Sequence, residues 1–312
     1  MIEFNKVCGI IVTYNPDDSN LEVIRNDCLT LYSTIIFDNS TENNYQDRLD
    51  RTIREIQASD NGTRKITLIR QGHNIGLSRS YNQSIRLAEM MGFKFVLILD
   101  QDSLITRDAI MALIRDLDML LKEGINVGAI AAHNTQNYFT PLSFLFNGKF
   151  RWNGFYYSDN IQEKRNLINS GMLIPVHNFN LVNGYDESFF VDNSDLEFTL
   201  RIRINNLRLF ESNGAKVMVN YKEETYNYIV ASISFRKPER EYSIRDLIRC
   251  LPLAYKISKI DMFLVFLLIV SKLLGTLLFK DNKRARFAFI LSGIKDGMHC
   301  LIMKRFRTHP QY

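Results

Sequence analysis

Residues 7–18 read VCGIIVTYNPDD, a short apolar run rich in β-formers that is closed by Asn15 and Pro16. A run of this kind, ended by a turn signal, is typical of a buried parallel strand. Similar runs recur at residues 34–37, 66–69, 95–99 and 127–131, with segments of helix length before or between most of them. This alternation predicts an α/β domain with a mainly parallel sheet and helices on both faces.

The composition is that of a protein able to bury a full core. The chain has 312 residues, of which 46% are hydrophobic and 23% charged, which excludes disordered, collagen-like and disulfide-scaffold classes. The four cysteines match no metal or redox spacing, so a reducing compartment is expected. Since the first residues make a poor secretory signal, we expect a cytoplasmic protein.

The basic charge is concentrated in the last quarter of the chain. From Arg236 onward there are sixteen Lys and Arg against six Asp and Glu, whereas the preceding residues carry 23 against 28. This region contains an apolar run, residues 262–279, which Lys272 interrupts. A lysine at its centre disfavours a membrane crossing, so the run is expected to lie in the membrane interface, with a buried core helix as the alternative. The basic residues alternate with aliphatic ones, which argues against nucleic-acid binding.

Three parts of the chain are therefore expected. Residues 1–132 form a nucleotide-binding α/β half, and residues 133–235, which include an aromatic stretch over 138–157, form an acceptor-side half of the same domain. Residues 236–312 form a basic, apolar, helical region that associates with a membrane.

Polar clusters follow three of the predicted strands, where ligands bind in open α/β sheets. They are Thr13-Tyr14-Asn15, Asp38-Asn39-Ser40 and Asp100-Gln101-Asp102. In an extended stretch Asp100 and Asp102 would lie on one side and suit Mg²⁺ or Mn²⁺ that carries a diphosphate. A solvated acidic turn is the alternative for this pair.

Two further segments contain candidate functional residues. The run QGHNIGLSRSYNQSI (residues 71–85) leads from a strand into a helix predicted over 77–91. The start of this helix could bind a phosphate. The alternative is an ordinary strand–helix connection in which Asn74 caps the helix. Around a second helix, predicted over 193–205, lie Asp192, Asp195 and Glu197. One of these carboxylates could take a proton from an attacking hydroxyl, although the helix dipole would weaken it as a base unless burial compensates. The alternative is an acidic first turn that only stabilises the helix.

In combination these motifs resemble a known family. VCGIIVTYNPD, IIFDNST, NIGLSRSYNQSI, LILDQDS, NSGMLIP and GYDESFFVDNSDLEFTLR occur in the order seen in inverting nucleotide-sugar glycosyltransferases of the GT-A fold. Within that group, TYNPD, LDQDS and DESFFVDNSDLEFTLR are similar to bacterial rhamnosyltransferases that use dTDP-L-rhamnose. The resemblance covers about residues 5–210.

The resemblance implies roles by position. Asp195 aligns with the catalytic base, and Asp100 and Asp102 match the acidic motif that binds Mg²⁺ or Mn²⁺. The nucleotide-binding positions would be Thr13, Asn15, Asp38, Asn39, Asn74, Gly76, Asn82 and Asp100. One departure is that a histidine common after the next strand is absent, since the chain reads KVMVNYKEETY there.

The resemblance also implies a reaction and a setting. L-rhamnose would pass from dTDP-β-L-rhamnose, with inversion, to a glycan on a polyprenyl diphosphate, in O-antigen or other surface polysaccharide synthesis. The enzyme would be peripheral on the cytoplasmic face of the bacterial inner membrane. The alternatives are a UDP-galactose or UDP-glucose transferase and a membrane-bound assembly factor without activity. A sugar-nucleotide pyrophosphorylase is disfavoured, because TYNPDD lacks a glycine and a basic residue.

Overall fold

The computed structural model describes residues 2–59, 63–135, 156, 158–219, 238–280 and 282–303. Nine strands form one sheet in these ranges. They are β1 (Val7–Thr13), β2 (Ser33–Asp38), β3 (Lys65–Arg70), β4 (Phe95–Asp100), β5 (Ser103–Ile105), β6 (Val127–Asn134), β7 (Ile161–Lys164), β8 (Met172–Pro175) and β9 (Arg208–Val219). The spatial order is β3-β2-β1-β4-β8-β6-β9-β5, with β7 paired to β9.

The amino-terminal half of the sheet is parallel, and antiparallel strands are added in the other half. β3, β2, β1 and β4 pair in parallel, as do β6 and β9. β8 lies between β4 and β6 and runs antiparallel to both. The carboxyl ends of β1, β2 and β4 therefore meet at one edge, as predicted.

Helices cover both faces of the sheet. The described helices are α1 (Asp18–Thr30), α2 (Asn43–Ser59), α3 (Leu77–Met90), α4 (Arg107–Lys122), α5 (Val176–Leu181), α6 (Ser194–Ile204), α7 (Ile244–Ile257), α8 (Lys259–Phe279) and α9 (Lys283–Met303). Apolar side chains of α1, α2 and α4 form one core against the sheet. Those of α3, α5 and α6 form a second core on the opposite face. The predicted α/β architecture, with a mainly parallel sheet covered on both faces, is confirmed.

The start of α6 is tied to the carboxy-terminal region through its N-cap residue. Asn193 is the N-cap, but it has a left-handed backbone, φ 61°, and its side chain makes no capping hydrogen bond. The Asn193 amide instead donates to the carbonyl oxygen of Ser243, 3.2 Å away, in the carboxy-terminal region. The Asn193 side chain therefore makes a tertiary contact in place of a capping hydrogen bond.

The carboxy-terminal region is helical and packs on the α/β domain. A third core joins Phe189, Leu196 and Leu200 to apolar side chains of α7, α8 and α9. In this region Glu241, which is 1% exposed, pairs with Lys280 at 2.6 Å and Arg286 at 3.1 Å. Lys272 lies 4.0 Å from the same carboxylate. Part of the basic charge of this region is therefore paired with a buried carboxylate inside the protein.

Some predictions fall outside the described residues. They include the aromatic stretch over 138–157, apart from Tyr156, the predicted boundary between 235 and 236, and residues 220–226, where the family histidine is missing. The proposed division into three parts stays a prediction.

Candidate active site

Thr13 and Asp38 end neighbouring parallel strands and are aligned in register. The Thr13 hydroxyl donates to Asp38 Oδ1 at 3.0 Å, and the Ser40 amide donates to the same oxygen at 2.9 Å. Arg70, at the end of β3, donates from Nε to Asp38 Oδ2 at 2.9 Å. Both Thr13 and Asp38 are fully buried. Their hydrogen bonds are therefore directed within the protein, and their role in a nucleoside pocket stays a prediction.

Asn39 and Asn15 continue this edge. The Asn39 side chain donates to Ser80 Oγ at 2.9 Å and accepts from the Ile75 amide at 3.2 Å, so it links β2 to the start of α3. Asn15 has a left-handed backbone, φ 45°, and its amide donates to Ser40 Oγ at 2.9 Å. The polar cluster predicted from the sequence is thus assembled, whereas its role in nucleotide binding stays a prediction.

Asp100 lies at the end of β4, between α3 and the turn before β8. Its Oδ1 accepts from the Tyr81 hydroxyl at 3.1 Å, and its Oδ2 accepts from the Ser170 hydroxyl. Burial raises the pKa of Asp100, and these two hydrogen bonds oppose the rise. Burial and the charges of Asp100 and Asp195 raise the pKa of Tyr81, so this hydroxyl stays protonated and donates.

Asp102 follows Asp100 across a turn at residues 101–102 that joins β4 to β5. The expected extended stretch is therefore absent, and strand alternation does not place the two carboxylates on one side. Gln101, within the turn, accepts from the Tyr14 amide at 2.8 Å and so ties the turn to the end of β1. The role of Asp102 as a metal ligand stays a prediction.

Asp195 lies in the first turn of α6. This helix is joined to the Asp100 end of β4 through two tyrosines, because Tyr81 donates to Asp100 and packs at 5.2 Å on Tyr185, whose ring stacks on Phe198 of α6. Burial raises the pKa of Asp195 to about 6, and the negative charges of Asp100 and Asp192 add to the rise. The Leu196 amide donates to Asp195 Oδ1 at 2.8 Å and opposes it. Burial therefore outweighs the helix start, which is the condition under which this carboxylate can act as a base near neutral pH.

The two neighbouring acids are engaged elsewhere. Glu197 is buried and accepts from Arg201 Nη2 at 2.7 Å, while Arg201 also donates to the Gly184 carbonyl oxygen at 2.7 Å. Asp192 pairs with Arg240 at 2.6 Å. Asp195 has no Lys, Arg or His paired with it within the described ranges, which distinguishes it from the other two acids of its motif.

Tyr185 is buried and packs on Tyr81, with ring centroids 5.2 Å apart. Its ring stacks on Phe198 with centroids 4.2 Å apart, and its hydroxyl donates to Asn169 Oδ1 at 2.8 Å. Burial and the charges of Asp195 and Asp100 raise its pKa. Sequence reasoning gave no role to Tyr185, Tyr81 or Ser170. Their signal was present, since each lies within a quoted motif.

The start of α3 is partly closed by a loop over residues 182–193, which we call the bridging loop. The Gly76 amide donates to Asn74 Oδ1 at 2.9 Å, and the Leu77 amide donates to the Phe190 carbonyl oxygen at 2.6 Å. Asn82 donates to the Tyr185 carbonyl oxygen at 2.9 Å and accepts from the Tyr185 amide at 2.8 Å. These contacts leave fewer amides for a phosphate than the sequence indicated.

The residues present fit a divalent cation in part. Within the described ranges no group of three or more His, Cys, Asp and Glu side chains forms a closed metal site. Mg²⁺ needs only one or two carboxylates when substrate phosphates supply further oxygens. Asp100, at the end of β4, is one such carboxylate, and Asp102, two residues further on, is the second expected from the sequence.

Comparisons with known proteins agree with this geometry. The dTDP-rhamnosyl transferase RfbF of Shigella flexneri is 23% identical over 250 residues, which are 76% of this chain and 77% of that protein. The crystal structure of GalNAc-T7 with UDP, GalNAc and Mn²⁺ matches with a TM-score of 0.50 and 13% identity. That match covers 77% of this chain and 47% of the GalNAc-T7 chain, and it shows the fold. No protein-family model matches the chain.

The predicted class is confirmed: the chain is a glycosyltransferase of the GT-A fold. The match to RfbF also confirms the predicted resemblance to bacterial rhamnosyltransferases.

Proposed function

We propose that the protein transfers L-rhamnose from dTDP-β-L-rhamnose, with inversion, to a hydroxyl of a lipid-linked glycan in O-antigen or other surface polysaccharide synthesis. The observation that carries the proposal is the packing of Tyr81 and Tyr185 between Asp100 at the end of β4 and the helix α6 that holds Asp195, from distant parts of the chain. The donor is inferred from the likeness to RfbF, which is named a dTDP-rhamnosyl transferase.

The proposed reaction is a single displacement. With a pKa of about 6, Asp195 is mostly ionised at neutral pH and can take the proton of the acceptor hydroxyl. The acceptor oxygen then forms a bond to the anomeric carbon while the bond from that carbon to the diphosphate breaks. Attack from the opposite face converts a β-linked donor into an α-L-rhamnoside. The protein holds the two reactants in line, which lowers the barrier.

A divalent cation, Mg²⁺ or Mn²⁺, bound by Asp100 and Asp102 would offset the charge that develops on the leaving diphosphate. Tyr81 and Ser170 hold both oxygens of Asp100 by hydrogen bonds, which fixes the orientation of this carboxylate. Arg70 pairs with Asp38 at 2.8 Å beneath the proposed nucleoside pocket.

A lipid-linked acceptor fits the outer side of α8. The stretch Lys259–Leu278 of this helix has a mean hydropathy of 2.1, and 28% of it is buried within the protein. By length and composition alone, this helix could cross a membrane. Lys272 and Thr276 instead face Ser243 and Glu241 of the protein. The exposed apolar side chains share the opposite side at helical spacing and are Ile260, Phe263, Phe266, Leu274, Leu277 and Leu278. An apolar side that the protein leaves exposed can insert into the membrane interface.

Exposed basic residues flank this apolar side. They are Lys256, Lys259, Lys283 and Arg284. Each basic residue near an anionic surface contributes about 1 kcal/mol to binding. We propose a peripheral position on the cytoplasmic face of the inner membrane.

The donor is tested by incubating the purified full chain and a polyprenyl-diphosphate-linked acceptor with dTDP-β-L-rhamnose, UDP-galactose or UDP-glucose. We expect product only with the first donor. Turnover with a UDP-hexose alone would overturn the rhamnose assignment, and no turnover with any of the three would contradict the proposed enzyme.

The membrane position is tested by flotation with vesicles of phosphatidylglycerol or of phosphatidylcholine. We expect the chain to float with the anionic vesicles, and the double variant Phe263→Glu, Leu277→Glu to stay at the bottom. The control is Met90→Glu with Leu181→Glu, two exposed apolar residues elsewhere in the structure. Equal flotation of both double variants would contradict the assignment of α8.

A further inference from the structure

The bridging loop connects the two sides of the candidate site. On one side Phe190 accepts from the Leu77 amide, and the Phe189 carbonyl oxygen accepts from Ser78 Oγ at 2.6 Å. Arg79 pairs with Glu187 at 3.0 Å across the same contact. The loop is thereby fastened to the first turn of α3, on the proposed phosphate side.

The approach of the loop to α3 is close. A side chain at Gly76 would place its Cβ 2.5 Å from the Phe190 ring and 2.8 Å from the Phe190 carbonyl oxygen. Gly76 also has φ +85°, a conformation that L-residues rarely adopt. The position of α3 relative to the loop therefore depends on direct backbone contact.

On its other side the loop is held by α7. The guanidinium of Arg249 lies over the Phe189 ring at 4.1 Å and donates to Asp186 Oδ2 at 3.1 Å. It also donates to Ser188 Oγ at 2.5 Å, and that hydroxyl in turn donates to Asp186. Arg245, which is 1% exposed, donates to the Ser188 carbonyl oxygen at 2.9 Å. One residue, Phe189, thus contacts α3 through its carbonyl group and α7 through its ring.

The contact between α7 and the bridging loop compensates the buried positive charge of Arg249. Arg249 is 4% exposed, and a buried guanidinium is tolerated only when carboxylates and hydrogen-bond acceptors surround it. Asp246, one turn earlier on α7, lies 3.2 Å from Arg249 and 2.7 Å from Arg245. The planar fork of Arg249 donates to Asp246, Asp186 and Ser188 in a fixed geometry that the compact ammonium of a lysine does not reproduce.

We propose that Arg249 is a positioning residue for the sugar transfer: through the bridging loop it sets the start of α3 and the Asp195 end of α6 in their relative places. The expected effect on kcat/KM rests on the proposed function. The contacts of the bridging loop with α3 and α7 do not depend on it. The carboxy-terminal region would then serve the reaction directly, in addition to any contact with a membrane.

The test compares Arg249→Lys with Arg165→Lys in the full chain. Arg165 is a matched control, because it is a mostly buried arginine that also joins the carboxy-terminal region to the α/β domain, by a 2.9 Å pair with Asp261. We expect Arg249→Lys to lower kcat/KM for the donor about tenfold or more. We expect it to speed hydrogen exchange of the amides at residues 76–80. The control should lower the Tm but change neither readout more than twofold.

Ser188→Ala is the milder second variant, and it decides the matter if Arg249→Lys does not fold. It removes the hydroxyl between Arg249 and Asp186, and the same two changes are expected with a smaller amplitude. The proposal is overturned if exchange at residues 76–80 stays as in the parent protein, or if the control changes it equally. A parent chain that transfers no sugar would refute the proposed function, while the exchange measurement would still decide the placement of the loop.

Discussion

Asp100 and Asp195 are 95 residues apart in the chain, yet the charge of Asp100 raises the pKa of Asp195. Asp100 ends a parallel strand and Asp195 lies in the first turn of a helix. Tyr81 donates to Asp100 and packs on Tyr185, whose ring stacks on Phe198 of the helix that holds Asp195. Two carboxylates in one partly buried region, with different hydrogen-bond partners, can take different roles. Asp100 accepts two hydroxyl hydrogen bonds, while Asp195 is held by one backbone amide.

The pH profile should report the ionisation of Asp195. As a general base it acts only when deprotonated, so kcat/KM should fall about tenfold per pH unit below its pKa of about 6. The free energy of unfolding should change in the opposite direction. Because the pKa of Asp195 is higher in the folded state than in the unfolded chain, protonation of this group stabilises the fold at low pH, and that stabilisation is lost as pH rises through 6. The measurement is kcat/KM from pH 4.5 to 8.5. A flat profile across pH 6 would remove Asp195 from the base role.

Glu197→Gln should affect stability and spare the reaction. The change removes the carboxylate that pairs with Arg201, and we expect the free energy of unfolding to fall by about 1 to 3 kcal/mol. Urea unfolding measures this loss, and kcat per folded molecule should stay within a few-fold of the parent. A loss of kcat as large as that of an Asp195 variant would show that the wrong acid was assigned.

Gly76→Ala should displace the bridging loop. Gly72 provides the matched control, because it has a similar φ of +73° but nothing within 4 Å of an added Cβ. Gly72→Ala should cost about 1 kcal/mol for the backbone conformation alone. Gly76→Ala should lower the Tm further and weaken dTDP binding in calorimetry. Equal effects of the two substitutions would contradict the close contact with Phe190.

Metal dependence should follow the acidic motif. EDTA should abolish transfer, and Mn²⁺ or Mg²⁺ should restore it. Asp102→Asn should raise the Mn²⁺ concentration needed for half-maximal activity at least tenfold, and calorimetry with dTDP present should show weaker Mn²⁺ binding. Asp118→Asn, on the outer side of α4, is the control. Full activity in EDTA would exclude a metal in the reaction.

The sequence was informative wherever a periodic pattern coincided with an element. The helices predicted over 77–91 and 193–205 match Leu77–Met90 and Ser194–Ile204 within one residue at each end, and the polar edge at Thr13, Asp38 and Asp100 is assembled as expected. These features depend on local pattern and on the parallel order of strands. The short strands β5 and β7 were missed because three or four residues carry little periodicity.

Contacts between distant segments were beyond sequence reasoning. The pairing of Arg70 with Asp38, and the loop contacts of Arg249, depend on tertiary packing that no spacing reveals. The choice among Asp192, Asp195 and Glu197 was open for the same reason. It depends on which acid has a basic partner, and Arg201 and Arg240 supply those partners for two of the three.

The most direct test of the account is the rate of transfer from dTDP-β-L-rhamnose to the lipid-linked acceptor by Asp195→Asn, measured at pH 7.5 beside the parent chain. Loss of a general base predicts a fall in kcat of about 10²- to 10⁴-fold. The Tm should be unchanged or higher, because a buried charge is removed. A variant that keeps the parent kcat would contradict the central claim.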